Sequence, residues 1–343
     1  MKSFKKAAIA STLVLLLAAC GNDKPAENTA TPTTTETQTS APATSAPASN
    51  APAATAPATE AKAATMTIKH NAGETVVNMN PQRVVSFDFG SLDTLEALGV
   101  EVIGIPKANI PAYLAKYKDD KYVNFGGLKE PDFEAVYKAK PDFIVLSDRQ
   151  VNLYDQFAEI APSVNFNIDI NDYMNSLEYH TLTLGKLFGK EDTAKAQLDD
   201  LKAQIEAIKA QTKDMPDRAL IVLANDGKIS AYGPGSRFGF IHDTLGFKPA
   251  DDKIEVSRHG QNVTFEYVMN LDPEYIFVID RSAVVGNSET AAKDLIENDL
   301  VKNTKAFQNG KIVYLDPNIW YLSGGGLKST QSMVNDIKDA LAQ

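Results

Sequence analysis

One segment of the chain occurs twice, and this repeat limits the possible architecture more than any other feature. Residues 133–149 read FEAVYKAKPDFIVLSDR, residues 265–281 read FEYVMNLDPEYIFVIDR, and the two align without a gap at an offset of 132. Seven aligned positions are identical, among them the central proline and the final Asp-Arg pair. Each copy predicts a short helix, a turn and a buried strand. A spacing this long exceeds that of a solenoid repeat, so it indicates two similar lobes.

Each copy ends in an arginine, Arg149 or Arg281, directly after its predicted strand. In α/β proteins, ligands bind beyond the carboxyl ends of the strands. A third arginine, Arg237, lies in a glycine-rich loop after another predicted strand. Guanidinium groups are always charged and donate several hydrogen bonds to oxygens, so three of them in one cleft would suit a ligand with about three negative charges. The alternative for Arg149 and Arg281 is a structural Asp-Arg pair at each strand end.

The N-terminal part of the chain differs in composition from the rest. Residues 1–19 have a basic start and an apolar run too short to cross a membrane, which predicts a secretory signal peptide. Cys20, the only cysteine, follows Leu-Ala-Ala as in a bacterial lipobox, which predicts lipidation of its thiol; the alternative is an ordinary signal with an incidental cysteine. Residues 20–65 are rich in Ala, Thr, Pro and Ser and predict a disordered tether.

The remaining sequence predicts two α/β lobes with central, mainly parallel sheets, because predicted strands alternate with helical segments. Apolar residues of 193–211 recur at steps of three and four, which predicts one long helix between the lobes with Asp192 as its N-cap. We expect the N-terminal lobe over residues 66–187, the connecting helix over 188–214 and the C-terminal lobe over 215–343. A single connector favours a small hinge motion.

The acidic character of the chain, with a formal net charge of −10, argues against nucleic acid as a partner. An anion site must therefore be a local basic cluster. The three glycines of residues 324–326 do not form a phosphate-binding loop of the Walker type, because Leu327 separates them from Lys328. A flexible or tightly turned loop is expected there.

Two further side chains and a pair of glutamates are candidates for function. His259 lies in a polar loop before the second repeat copy, a position that favours contact with a ligand. Tyr321 follows a predicted strand, and its alternative is an aromatic ring packed beneath a loop. Glu134 and Glu266 occupy equivalent places near the starts of the two short helices. They either interact favourably with the helix dipole or form two exposed carboxylates that dock on a symmetric partner.

Together these features resemble the class III periplasmic binding proteins of ABC importers. Five short segments narrow the resemblance to the catecholate-siderophore receptors of that class. They are Ser-Asp-Arg at 147–149, Ser-Arg-Phe-Gly at 236–239, His-Gly at 259–260, Val-Ile-Asp-Arg at 278–281 and Asp-Pro-x-x-Trp-Tyr-Leu at 316–322. The resemblance covers nearly all of the chain after the tether.

The resemblance implies a binding protein rather than an enzyme, without an intrinsic cofactor. It implies that Arg149, Arg237 and Arg281 hold a ferric catecholate siderophore as the transported ligand. It also implies that His259 and Tyr321 complete the coordination of Fe(III) when the siderophore offers only two catechols. Ferric iron prefers six ligands with oxygen donors and accepts imidazole, which agrees with this set.

The resemblance further implies that Glu134 and Glu266 meet arginines on the two subunits of an ABC permease that works with an ATPase. We expect a monomeric, exported lipoprotein anchored through Cys20, either in the periplasm or on the outer face of the cell membrane.

Other cargoes and one enzyme class are the alternatives. A hydroxamate siderophore, haem or cobalamin would need a different account of the three arginines, which fit neutral hydroxamates poorly. A receptor for bare Zn²⁺ or Mn²⁺ lacks an evident cluster of histidines and carboxylates. A secreted serine hydrolase lacks the Gly-x-Ser-x-Gly elbow.

Overall fold

Two β-sheets, one in each half of the chain, position the other elements. The computed structural model describes residues 64–285 and 292–342, so the predictions for the signal peptide, for Cys20 and for all but the end of the tether concern residues outside this range. The strands described are β1 (Thr65–His70), β2 (Gly73–Asn78), β3 (Val84–Ser86), β4 (Gly104–Ile105), β5 (Val123–Asn124), β6 (Phe143–Leu146), β7 (Ser163–Asn165), β8 (Arg218–Asn225), β9 (Lys228–Tyr232), β10 (Lys248–Pro249), β11 (Gln261–Val263), β12 (Tyr275–Asp280) and β13 (Ile312–Leu315). The α-helices are α1 (Phe89–Ala97), α2 (Phe133–Ala139), α3 (Tyr154–Ala158), α4 (Tyr173–Leu187), α5 (Glu191–Thr212), α6 (Phe240–Asp243), α7 (Phe265–Leu271), α8 (Ser282–Val285), α9 (Ala292–Ile296), α10 (Lys305–Gln308) and α11 (Leu327–Leu341). Short 3₁₀ segments cover Ala112–Lys118, Asp148–Leu153, Ile170–Asp172 and Val301–Asn303, and a π-helical turn covers Asn318–Leu322.

The N-terminal sheet is parallel throughout, with strand order β5-β4-β3-β6-β7. Every residue of β6 is buried, because apolar clusters lie on both faces of the sheet. One cluster includes Leu92 and Leu95 of α1, and the other includes Val136 of α2 and Phe157 of α3. A parallel sheet covered in this way brings the carboxyl ends of its strands to one edge.

An antiparallel hairpin of β1 and β2 precedes this sheet, and the sequence analysis did not predict it. Its burial is limited to single positions, since Ile68 and Val77 are buried while most of their neighbours are exposed. The hydroxyl of Tyr179 in α4 donates to the Lys69 carbonyl at 2.7 Å and ties the hairpin to the lobe. With so few buried apolar residues, the hairpin carries a weak sequence pattern.

The C-terminal sheet has strand order β11-β9-β8-β12-β13, with β10 paired to the start of β8. The pairs among β8, β10, β12 and β13 are parallel, whereas β9 runs antiparallel to both of its neighbours, β8 and β11. The central strands of both sheets are thus parallel. This confirms the prediction of two α/β lobes with mainly parallel sheets and one long helix between them.

The connecting helix is α5, and the residues predicted for its apolar face are buried, namely Ala194, Leu198, Leu201, Ile205 and Ile208. The prediction of Asp192 as its N-cap is wrong. Lys190 occupies the N-cap without a side-chain hydrogen bond, and Asp192 lies within the first turn. A carboxylate there still interacts favourably with the positive end of the helix dipole. The lobe boundaries given above stay a prediction.

The two copies of the repeat adopt the same local structure. In the first, Asp132 caps α2 by accepting from the Ala135 N–H at 2.9 Å. In the second, Thr264 caps α7 by accepting from the Tyr267 N–H at 3.3 Å. Both helices end at a residue with positive φ, directly before the shared proline and the buried strand. The repeat therefore places β6 and β12 in equivalent positions of the two lobes.

None of the helices within residues 64–285 and 292–342 combines the length and the apolar character that crossing a membrane requires.

Candidate functional site

A cavity of about 690 Å³ lies between the two lobes, beside the carboxyl end of β6. We call it the inter-lobe cavity. Its N-terminal side is formed by the segment after β6, by residues 166–170 and by Tyr173. Its C-terminal side is formed by residues 236–238, residues 256–258 and the loop that follows the π-helical turn. The position agrees with the rule that ligands bind beyond the ends of parallel strands.

All three arginines predicted from the sequence donate hydrogen bonds to Tyr321. Arg149 Nη2 donates to the backbone carbonyl of Tyr321 at 3.4 Å, and Arg237 Nη2 donates to the same oxygen. Arg281 Nε donates to the Tyr321 hydroxyl at 2.8 Å. Arg149 and Arg237 line the inter-lobe cavity, while Arg281 joins them through its hydrogen bond to Tyr321. The convergence expected from the repeat is therefore present, with one residue as its centre.

Arg237 lies closer to the ring of Tyr321 than Arg281 does. Its guanidinium carbon lies 4.3 Å above the centroid of the Tyr321 ring, within range of a cation–π interaction. The surrounding protein and the positive charge of Arg149 lower the pKa of Arg237 from its ordinary value. Arginine remains charged even so. Two like charges held side by side in a partly dehydrated cavity favour the binding of an anion between them.

The phenol of Tyr321 is more acidic than an ordinary tyrosine. Partial burial opposes its ionisation, but the hydrogen bond from Arg281 and the charges of Arg237 and Arg281 outweigh burial and lower the pKa of Tyr321. Arg281 is itself held by Nη1, which donates to Asn225 Oδ1. A tyrosine with these neighbours releases its proton to solvent more readily when its oxygen binds a metal ion.

The loop after Tyr321 is tightly turned. Gly324 and Gly325 have φ of 78° and 74°, a region that side chains other than glycine disfavour. A Cβ atom on Gly325 would lie 2.5 Å from Ile168 of the opposite lobe. The glycines serve close contact between the lobes, which agrees with the prediction that they form a tight turn rather than a phosphate loop.

A buried carboxylate joins the lobes next to this loop. Asp93 of α1 accepts from the N–H groups of Lys328 and Ser329 at 3.0 and 3.1 Å, so it caps α11 of the other lobe. The Tyr113 hydroxyl also donates to Asp93, at 2.9 Å. Burial raises the pKa of Asp93 to about 7, against the effect of these hydrogen bonds. Sequence reasoning missed this residue, although a carboxylate between Leu92 and Leu95 on an apolar helix face was a signal.

Apolar side chains complete the walls of the inter-lobe cavity, among them Phe166, Phe238 and Trp320. His180 stacks on Phe166 with ring centroids 4.4 Å apart. Burial lowers the pKa of His180 to about 4, so this histidine is neutral and supports the wall. The cavity therefore combines aromatic surface with cations, a combination that suits aromatic anions.

The structure does not bring His259 to the other candidates. His259 is exposed in a turn, and the cavity is lined instead by its neighbours Val256, Ser257 and Arg258. Sequence reasoning missed Arg258, although it stands next to His259 in the same polar loop. Within residues 64–285 and 292–342, no three histidine, cysteine or acidic side chains group as a site for a metal ion.

Glu134 and Glu266 lie where the repeat predicted, each in the first turn of its helix and each exposed. Glu134 forms an ion pair with Lys138. A hydrogen bond from its own N–H and one from the Thr264 side chain lower the pKa of Glu266. Both carboxylates are accessible to solvent.

Comparison with known proteins shows which protein family the chain resembles. A family model described as periplasmic binding protein matches residues 84–319 of the chain. Petrobactin-binding protein YclQ from Bacillus subtilis (strain 168) is 45% identical over 284 residues, which are 82% of this chain and 89% of that protein. The crystal structure of YclQ superposes on this chain with a TM-score of 0.79, and the comparison covers 99% of the YclQ chain.

Two further relatives come from Vibrio. Ferric-anguibactin-binding protein FatB from Vibrio anguillarum (strain ATCC 68554 / 775) is 32% identical over 277 residues, 79% of this chain and 86% of that protein. The crystal structure of the periplasmic catecholate-siderophore binding protein VctP from Vibrio cholerae is 38% identical, with a TM-score of 0.77. That comparison covers 80% of this chain and all of the VctP chain.

Proposed function

The chain belongs to the periplasmic binding protein family, and on this premise we propose that it captures a ferric catecholate siderophore between its lobes and delivers it to an ABC importer for iron uptake. The relatives named for petrobactin, ferric anguibactin and catecholate siderophores support this cargo class. The family binds transported substrates and is not a family of enzymes, so the serine hydrolase alternative is set aside.

The convergence of three guanidinium groups on Tyr321 is the observation that carries the cargo assignment. Fe(III) bound by three doubly charged catecholates has a formal charge of three minus, and Fe(III) bound by two has one minus. Arg149, Arg237 and Arg281 offer matching positive charge, in a chain whose formal net charge is −10. A neutral ferric hydroxamate would leave these cations without counter-charge, which costs binding free energy when water is excluded.

Tyr321 and His259 are proposed as iron ligands when the siderophore supplies only two catechols. The lowered pKa of Tyr321 supports a phenolate ligand, since metal binding requires loss of the phenol proton. His259 is exposed in the loop whose neighbouring residues line the cavity. Its participation requires this loop to turn toward the iron when cargo binds.

Delivery is proposed to use Glu134 and Glu266 as one contact on each of two permease subunits coupled to an ATPase. Their equivalent positions in the repeat and their exposure support this role. A monomeric receptor carries one Glu134 and one Glu266, so each permease subunit would meet one glutamate. The family supports an exported location, and the lipobox at Cys20 supports anchoring to the membrane by a lipid.

Titration of the purified full-length chain tests the cargo assignment. Trp320 is the only tryptophan of the chain and lines the inter-lobe cavity, so its fluorescence should be quenched by bound iron. We expect tighter binding of the ferric complex of a tripodal tris-catechol than of a neutral ferric tris-hydroxamate. Arg149→Ala and Arg237→Ala should each weaken catecholate binding about tenfold or more, whereas Lys195→Ala on the exposed side of α5 should not. Equal affinity for both ferric complexes would reject the catecholate assignment.

A further inference from the structure

A fourth arginine, outside the predicted set, faces the cargo site across the cleft. Arg258 lies in the loop between β10 and β11, and its Nη2 is 3.7 Å from Oδ2 of Asp148. Asp148 follows β6 of the other lobe, and both residues line the inter-lobe cavity. The pair therefore spans the opening between the lobes, next to Arg149.

The local structure of the repeat does not account for this contact. Asp280 occupies the position equivalent to Asp148 and accepts from the N–H groups of Ala283 and Ala292, both at 3.1 Å. Those bonds hold Asp280 to its own lobe. Among the residues that the structure describes, the Asp148 carboxylate has no such backbone bonds and faces Arg258 instead. The two aspartates of the repeat thus differ in what they contact.

The contact is also easily broken. The side chains of Arg258 and Asp148 are 77% and 51% exposed. An exposed pair at this separation is screened by water and salt and is weak. A cargo with several negative charges in the same cavity would compete with a single carboxylate for the guanidinium.

Asp148 is moreover unfavourable for an anionic cargo. Asp88 and Asp169 also line the cavity, so a carboxylate without a counter-charge would add to the repulsion of an anion. While paired, Arg258 offsets the charge of Asp148. Once cargo is present, the same guanidinium can leave the carboxylate and contact the ligand.

We propose that Arg258 is a cargo-binding and specificity-determining residue that exchanges its contact with Asp148 for the anionic siderophore complex. The proposal rests on the proposed function. It assigns Asp148 the opposite role, a competitor for Arg258. Because an electrostatic interaction grows with the charge of the ligand, the contribution of Arg258 should be larger for a complex with three negative charges than for one with a single charge.

Fluorescence titration of variants with ferric tris-catecholate and ferric bis-catecholate complexes tests this exchange. Arg258→Ala should weaken binding of the tris-catecholate about fivefold and of the bis-catecholate less. Asp148→Asn should strengthen tris-catecholate binding. Lys253→Ala is the matched control, since it removes one exposed positive charge from the same loop outside the cavity lining, and its affinity should equal that of the wild type.

The outcomes separate the possible failures. A pair that merely holds the lobes together would make Arg258→Ala and Asp148→Asn change the affinity in the same direction, which would overturn the exchange. Equal affinities of Arg258→Ala and Lys253→Ala, with normal binding by the wild type, would overturn only this inference. Absence of catecholate binding by the wild type would reject the proposed function and this inference with it.

Discussion

Arg281 Nε donates a 2.8 Å hydrogen bond to the hydroxyl of Tyr321. The arginine ends the second copy of the repeat, and the tyrosine stands in the π-helical turn 40 positions later. This bond links a residue placed by the repeat to the residue that also receives Arg149 and Arg237. It makes the phenol more acidic and holds the guanidinium beside the tyrosine ring.

Tyr321→Phe should remove the most easily ionised phenol among the described tyrosines whose pKa is shifted. The other shifted tyrosines have raised pKa values, largely through burial, whereas the arginines lower the pKa of Tyr321. Titration of tyrosinate absorbance in the ligand-free chain should lose its earliest component in this variant. Tyr137→Phe, which removes an exposed phenol in α2, is the control. An identical early component in wild type and Tyr321→Phe would contradict the assignment.

The same Tyr321→Phe variant should alter the charge-transfer band of a bound ferric bis-catecholate. A phenolate ligand contributes to that band, and phenylalanine cannot replace it. Absorbance spectra of the saturated complexes provide the measurement. A spectrum unchanged from that of the wild type would count against ligation of iron by Tyr321.

His259→Ala should bind a ferric bis-catecholate complex more weakly than the wild type, because the variant lacks the imidazole that is proposed as a ligand of the iron. Affinities from fluorescence titration measure the effect. The tris-catecholate complex is the control, since its six oxygens leave no position for His259. Equal affinity of the wild type and His259→Ala for the bis-catecholate complex would exclude the role.

Asp93→Asn should flatten the pH dependence of stability. The pKa of Asp93 is raised from 3.8 to about 7 in the folded protein, so the folded state binds this proton more tightly than the unfolded chain. The stabilisation is complete below the unfolded value and is lost as the pH rises through about 7. The free energy of unfolding of the wild type should therefore fall, relative to the variant, between about pH 4 and pH 7.

Denaturant unfolding at several pH values measures the Asp93 effect. The variant should also be less stable overall, because an amide can accept from fewer of the donors on Lys328, Ser329 and Tyr113. Parallel curves for the two proteins would show that Asp93 does not titrate in this range.

Glu134→Ala and Glu266→Ala should reduce iron uptake by cells without changing cargo affinity, because both carboxylates are exposed and lie in helices α2 and α7, outside the cavity lining. The double variant should transport least. Glu206→Ala, an exposed glutamate on α5, is the control. Uptake of labelled ferric siderophore by cells expressing each variant gives the measurement, and normal uptake by the double variant would exclude docking through these residues.

The sequence by itself determined the elements whose pattern is local. The repeat defined α2 with β6 and α7 with β12, since each copy contains its own helix, turn and buried strand. The apolar spacing defined α5 for the same reason. The repeat also placed Arg149 and Arg281 at equivalent strand ends. The hairpin of β1 and β2 was missed, because so few of its residues are buried.

Only the tertiary structure decided how these residues meet. The Tyr321 carbonyl accepts from Arg149 at a sequence separation of 172, and Asp93 caps α11 at a separation of 236 for Ser329. The tertiary structure also decided that Arg258 pairs with Asp148 and that His259 is exposed. Each depends on the relative placement of the two sheets, and no local pattern of hydrophobicity or charge encodes that placement. Local propensities shape each lobe, whereas the contacts across the cleft arise from packing between lobes.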